Sequence, residues 1–190
     1  MGKGIMGAAV LLLLCNVLFH PSFSSATATE RPLLAPAVKS TTMAMEKACN
    51  LTLDPNFCLV SLQADPRSRS ADLSGLAAVA LDLAVANATS TIAKLSDLRA
   101  SASGSSSAKP STRNKLEACL ILYRNAVPPL RLAAEFLAEE HVEVARAMME
   151  APVFAPGSCG QLLGRVLAKE NDDLFNLMLI SRRIAEALTP

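Results

Sequence analysis

The sequence predicts an all-α fold: an up-down-up-down four-helix bundle with an N-terminal helical hairpin and two disulfides. Three observations carry that prediction. Hydrophobic residues make up 51% of the 190 and aromatics only 4%, with no Trp and a single Tyr, Tyr123. Small aliphatics without long β-branched runs favour helices and disfavour a β-sandwich, and so apolar a chain is not disordered. Leu116, Leu120, Tyr123, Val127, Leu130, Ala134 and Leu137 recur at spacings of four and three, the period of one helix face. Four cysteines, Cys49, Cys58, Cys119 and Cys159, follow an N-terminal leader, an even count that reads as two bridges in an oxidising compartment. Eighteen basic against 17 acidic residues leave a net charge of +1, with no basic excess to neutralise phosphates, so nucleic acid is not an expected partner.

Residues 1–28 read as a secretory signal peptide. Lys3 supplies the positive start, residues 7–19 the apolar stretch, and Ala26-Thr27-Ala28 an A-x-A cleavage site. A membrane anchor needs about 20 apolar residues, and this run stops at His20-Pro21. No later stretch of uncharged apolar residues is long enough, so no membrane partner is expected. Cleavage removes Cys15 and His20 and leaves His141 as the one histidine. Residues 29–40, with two prolines, form an extended lead-in, and 41–190 the helical domain.

Within that domain, 41–48 form one or two helical turns. Asp54-Pro55-Asn56 turns the chain between Cys49 and Cys58. Asp65-Pro66-Arg67-Ser68 makes the next break, and the charged stretch to Asp72 reads as a capped, solvated helix approach rather than a binding epitope. Residues 72–99 form a long helix with a narrow stripe of Leu81, Val85, Ala88, Ile92 and Leu95. Residues 101–112, rich in Ser, are a loop, with Ser111 or Thr112 capping the next helix. Pro128-Pro129 interrupts that helix's stripe, and a helix-interior proline costs about 3 kcal/mol, so a kink or break is expected near Ala126. Residues 139–150 continue helically with Val142, Ala145 and Met149 on one side. Ala151-Pro152 and Ala155-Pro156-Gly157 end that element, 160–169 are helical, and Leu174, Leu177, Ile184 and Leu188 mark the last helix.

Four cysteines allow three pairings, and spacing alone leaves all three open; sequential pairing crosses the fewest elements. Zinc is disfavoured, because its ligand pairs usually stand two to four residues apart and histidines are lacking. Two N-x-[ST] sequons, at Asn50 and Asn87, are candidate glycosylation sites. Asn87 falls about 120° from the centre of its helix's stripe at 100° per residue, an exposed position, whereas Asn50 is crowded by Cys49.

Catalytic chemistry finds little to stand on. His141 lies in the polar run Glu139-Glu140-His141 and reads as a solvated face residue. No G-x-S-x-G, H-E-x-x-H or phosphate-cradling loop occurs. Asp172-Asp173 reads as a helix-start charge cluster. Oxidised cysteines offer no nucleophile. The expectation is therefore no catalytic residue, no cofactor and no metal, but a binding or inhibitory module.

Cys49-x8-Cys58 with Pro55 between, Leu62-Gln63-Ala64-Asp65-Pro66-Arg67-Ser68 and Ala71-Asp72-Leu73-x-x-Leu76-Ala77 resemble the opening of the plant invertase/pectin methylesterase inhibitor family. Leu116-Glu117-Ala118-Cys119 with Tyr123 and Ala126-Val127 resembles its third-cysteine helix, Cys159 its fourth cysteine, and Asn171 to Leu188 its last helix. The likeness covers about 42–188. It implies first-to-second and third-to-fourth pairing, Cys49–Cys58 and Cys119–Cys159. It also implies a secreted protein inhibitor, of the apoplast and cell wall or the vacuole, monomeric before it forms a one-to-one complex that blocks the substrate cleft of pectin methylesterase or acid invertase. Bundle helices within 72–99 and 113–150 would supply the contact face, with Lys94, Asp97, Arg124 and Arg131 as candidate contacts. Such complexes are pH-sensitive, and His141 is a candidate contributor.

The chain also departs from the family pattern. Met148-Met149-Glu150-Ala151 replaces a small-residue segment before the fourth cysteine, and Pro128-Pro129 is unexpected in the third helix. Val142-Glu143-Val144 stands where invertase inhibitors often carry Pro-Lys-Phe, which weakens acid invertase as the target without establishing pectin methylesterase. Some family members have no demonstrated target, so a secreted bundle without an enzyme partner is the reading from another class.

Overall fold

The computed structural model describes residues 41–105, 107 and 109–189. The expected leader, 1–28, and lead-in, 29–40, lie outside the described residues. Seven α-helices follow in order: α1 (Met43–Cys49), α2 (Pro55–Ala64), α3 (Leu73–Gly104), α4 (Pro110–Ala138), α5 (Val142–Met149), α6 (Phe154–Leu163) and α7 (Ala168–Leu188). Short 3-10 turns at Pro66–Arg69 and Gly164–Leu167 precede α3 and α7. The first two helices are the hairpin. α3, α4, the α5–α6 pair and α7 are the four rods of the bundle, and the described residues contain no strand.

Cross-helix bonds fix the directions. Ser74, at the start of α3, donates to the carbonyl of Leu137 at the end of α4 (2.5 Å), while Arg99 pairs with Glu117 at the other end. Lys94 near the end of α3 meets Glu170 near the start of α7 at 2.5 Å. Both neighbours are therefore antiparallel to α3, as an up-down bundle requires. Cys49 is bonded to Cys58 inside the hairpin, and Cys119 on α4 to Cys159 on α6.

Local chemistry explains most boundaries. Thr42 accepts from the Met45 amide, Asp54 from Phe57 and Asp72 from Gly75, so each caps the helix that follows it. Pro55 occupies the first turn of α2, where its missing N–H is no loss. The same rule starts α4 at Pro110, behind Lys109 and without a side-chain cap; the expected caps Ser111 and Thr112 are already inside the helix. α3 runs to Gly104, four residues into the expected loop, because Ser101 and Ser103 turn their hydroxyls back to the carbonyls of Asp97 and Arg99 instead of competing for the backbone.

Three other expectations are corrected. α4 is unbroken across Pro128-Pro129. Those prolines leave the carbonyls of Arg124 and Asn125 without their helical donors, and both residues are exposed, where water can serve them. The face is kept: Leu116, Leu120, Tyr123, Leu130, Ala134 and Leu137 are buried and Val127 partly so. Residues 139–150 are not one helix with what precedes them. Glu140 adopts φ 63, and the His141 amide bonds the Phe136 carbonyl at 2.8 Å, which closes α4 before α5 begins. Ala155-Pro156-Gly157 does not end an element but opens α6, again because a first-turn proline forfeits nothing. Gly164, at φ +60, ends α6 in a conformation that suits glycine.

α3 is long and apolar enough to cross a membrane by length and composition, but half of its most apolar window is buried inside the protein. Leu76 to Leu81 are all buried, a wider seat than the narrow stripe read from the sequence. The hairpin turns fewer side chains inward. Met45, Ala48, Leu62 and its two cysteines are buried, while Met43, Leu53 and Val60 are 87%, 78% and 64% exposed.

Candidate binding surface

The outer side of α3 and α4 carries a groove bordered by four charged side chains, Arg67, Asp82, Arg131 and Glu135. The turn before α3 builds one wall. Asp65 accepts from the Arg67 amide, and the Arg67 guanidinium returns to both oxygens of Asp65 while its Nη1 donates to Asp82 on α3 at 2.6 Å. The fork geometry of arginine suits this double engagement. Hydrogen bonding to Arg67 holds the Asp65 carboxyl below its usual range, and the two carboxylates push the guanidinium's pKa up. Arg67 is thus a clamp that fastens the hairpin-to-bundle linker onto α3, with Ser68 buried beneath it. The stretch Asp65 to Asp72 is the capped helix approach expected of it.

Arg131 of α4 stands on the opposite wall of the same groove, which has a volume of about 340 Å³ and a floor of small side chains that includes Ala78 and Ala134. Arg124 lies seven residues before Arg131, on the same stripe of α4, and is exposed. Lys94 is turned to α7 and engaged with Glu170, whose carboxyl the hydrogen bond lowers. Asp97 is exposed on α3 and, among the described residues, forms no ion pair. The four candidate contacts therefore share the α3–α4 half of the bundle without forming one cluster: Arg124 and Arg131 line up, and Lys94 faces elsewhere.

Other charged positions are plain. His141 is exposed at the α4–α5 turn, packs edge-on against Phe136 at 6.2 Å between ring centres, and stands 4.0 Å from Glu139. Asp173 is paired with Lys169 on its own helix. Among the described residues no three His, Cys, Asp or Glu side chains are grouped so as to hold a metal ion. Of the two sequons, Asn50 is exposed at the end of α1, with the Thr52 hydroxyl donating to the Cys49 carbonyl. Asn87 is only half-exposed, because α2 and α7 flank it across a second groove and its Oδ1 is shut off from solvent.

One polar pair escaped the sequence reading. The Tyr123 hydroxyl donates to Asn171 Oδ1 at 2.6 Å inside the core, and burial, with the charge of Glu170 adding, pushes the phenol's pKa up. The signal was present: a lone Tyr in an otherwise aliphatic stripe, and an Asn three residues before Leu174 on the last helix's inner face.

A family profile described as plant invertase/pectin methylesterase inhibitor matches residues 43–184. A pectinesterase inhibitor from Actinidia deliciosa is 30% identical over 124 residues, 65% of this chain; the match spans a little less than two thirds, 64%, of that protein. A cell wall / vacuolar inhibitor of fructosidase 2 from Arabidopsis thaliana is 30% identical over 162 residues, 85% of this chain and 82% of that one. Among solved structures, a mutant form of a pectin methylesterase inhibitor from Arabidopsis superposes with a TM-score of 0.64 at 26% identity, covering 76% of this chain and 97% of the other. A further solved structure, of a pectin methylesterase inhibitor from Arabidopsis thaliana, gives 0.56 at 25% identity, covering 77% and 96%.

Proposed function

Because the chain belongs to the plant invertase/pectin methylesterase inhibitor family, we propose that it is a secreted inhibitor of pectin methylesterase that covers the enzyme's substrate cleft in a one-to-one complex. The observation that supports this target is the likeness to two solved structures whose names are those of pectin methylesterase inhibitors, and the start of α5 weakens the invertase alternative. Where invertase inhibitors often present Pro-Lys-Phe, this chain presents Val142-Glu143-Val144, an acidic and aliphatic turn of helix. Blocking a cleft needs no reactive group. It needs a stiff face of roughly 800 Å² per partner, and two long antiparallel helices, cross-tied by Arg99–Glu117 and the Ser74 bond, offer one. Arg124, Arg131 and Asp97 are its polar contacts, with Lys94 at its edge.

Residues 1–28 direct the chain into the secretory route, and it works as a monomer in the apoplast and cell wall, with the vacuole as the other destination. Asn50 and Asn87 are its glycan acceptors. A second reading, inhibition of acid invertase, is favoured by the longer match to the fructosidase inhibitor, 85% of this chain against 65% for the pectinesterase inhibitor.

Titration of the oxidised protein into a pectin methylesterase and an acid invertase, from acid to neutral pH, tests both. Near-stoichiometric loss of esterase activity with invertase untouched is the expected result. The reverse moves the assignment to invertase, and inhibition of neither removes it for both.

A further inference from the structure

Asn87 lines a groove of about 300 Å³ where α2, α3 and α7 meet, at the small end of ligand sites. Phe57 and Val60 of α2, Leu83 of α3 and Leu177 of α7 make its surface largely apolar, and the paired Lys169 and Asp173 of α7 stand at its edge. Val60 is 64% exposed, so the groove leaves part of the hairpin's apolar surface in water.

The two ends of the Asn87 amide differ. Its Oδ1 is buried without a partner, whereas its Nδ2 is not shut off in that way and, among the described residues, donates no hydrogen bond. The nitrogen, the atom that carries an N-linked sugar, is therefore the open end of a side chain that borders the groove. Thr89, which completes the sequon, turns its hydroxyl back to the Val85 carbonyl within the helix. The folded sequon is thus closed to a transferase, so attachment precedes folding and the folded protein has to house the first sugar.

We propose that the groove seats the innermost N-acetylglucosamine of a glycan on Asn87, and that this sugar fastens the hairpin to α3 and α7. The proposal rests on the reading of Asn87 as an acceptor and on no reading of the target enzyme. In the attachment Nδ2 bonds the anomeric carbon, the bond from that carbon to a lipid pyrophosphate donor breaks, the pyrophosphate leaves and the amide gives up one proton. The covalent bond itself decides the occupant, because it holds the sugar beside the side chain that lines the groove. The chemistry matches on both sides. The C–H face and acetyl methyl of the sugar are apolar, as the walls are, and its hydroxyls can donate to Asp173 and accept from Lys169. A tethered group that meets its seat only in the folded chain stabilises that chain as a bound ligand does.

The test uses the full chain secreted from yeast, with Asn50→Gln throughout so that one acceptor remains. Three forms are compared: the intact glycoprotein, the same protein trimmed by an endoglycosidase to a single N-acetylglucosamine, and sugar-free Thr89→Ala. Alanine is the better helix former, so loss of the Thr89 hydroxyl does not by itself lower the melting temperature. The trimmed form is expected to melt with the intact one. The sugar-free form is expected to melt lower and to exchange its amide hydrogens over 43–64 severalfold faster. Val60→Glu, which keeps the acceptor and spoils the wall, is expected to erase the difference between trimmed and sugar-free protein. If the trimmed and sugar-free forms behave alike, or if their difference survives Val60→Glu, the seat is overturned while the acceptor stands. A secreted chain whose mass shows no sugar at Asn87 overturns acceptor and seat together.

Discussion

The hairpin and the bundle are each closed by one disulfide, but the two bridges answer different needs. Cys49–Cys58 joins residues nine apart within a pair of helices of seven and ten residues, too short to be stable alone. These helices bury Met45, Ala48 and Leu62 yet leave Met43 and Val60 in water, with Leu53 of the turn between them. Cys119–Cys159 spans forty residues and ties two rods that already lie in one core, Leu120, Tyr123, Leu130 and Leu137 from α4 and Ala155 from α6. In the hairpin the covalent bond stands in for a core; in the bundle it reinforces one.

The sharpest test removes the bridges one at a time. In the loop-entropy relation a closed loop of about forty residues contributes about 3.9 kcal/mol and one of about ten about 2.7 kcal/mol. Cys119→Ser with Cys159→Ser should lower the melting temperature of the whole domain in a calorimetric scan. Cys49→Ser with Cys58→Ser should have the smaller global effect, and hydrogen exchange should show protection lost over 43–64 and kept in α3, α4 and α7. Equal loss everywhere in the second variant would break the comparison.

Smaller changes probe what joins core to polar groups. Tyr123→Phe leaves Asn171 without its donor and should destabilise the bundle by about 1–3 kcal/mol, read from urea unfolding, with hairpin exchange unchanged. Least of all is the Arg67 clamp, which is exposed to solvent. Asp65 has a lowered pKa when folded, so its contribution is present above the unfolded carboxylate value near 3.9 and fades as pH falls below that through the folded value. Asp65→Asn should therefore melt slightly below wild type at neutral pH, and the gap should close in strong acid. A gap that persists there would show that Asp65 contributes through something other than its charge, since asparagine can still accept from the Arg67 amide.

Much of this contrast was readable in the residues, and for identifiable reasons. The stripe from Leu116 to Leu137 survived two prolines because burial of one face outweighs two missing donors on the other. Asp72 announced its helix because an N-cap is a local bond between residues three apart, whereas Asp54, read only as part of a turn, also caps α2. What could not be read was decided at longer range. Arg67 reaches Asp82 fifteen residues away, a distance at which no periodicity speaks. Pro156 looked like a stop and is a start, since proline has the same local preference just outside a helix and in its first turn. Glu140 carries no sign that it will take a left-handed turn. Exposure on a helix marks the candidate contacts in the sequence, but it does not tell that Lys94 is occupied by Glu170 until α7 is in place.

α3 has one more consequence, before folding begins. On the secretory route proposed above, a segment as apolar as a membrane span must pass the translocon without being released sideways into lipid. Asp82 sits in the first half of that segment, and an aspartate near the middle of a span adds about 2.5–3.5 kcal/mol to its insertion. On that route the carboxylate that anchors Arg67 would also keep the nascent helix in transit, and Asp82→Leu should divert part of the newly made protein from the medium into the membrane fraction.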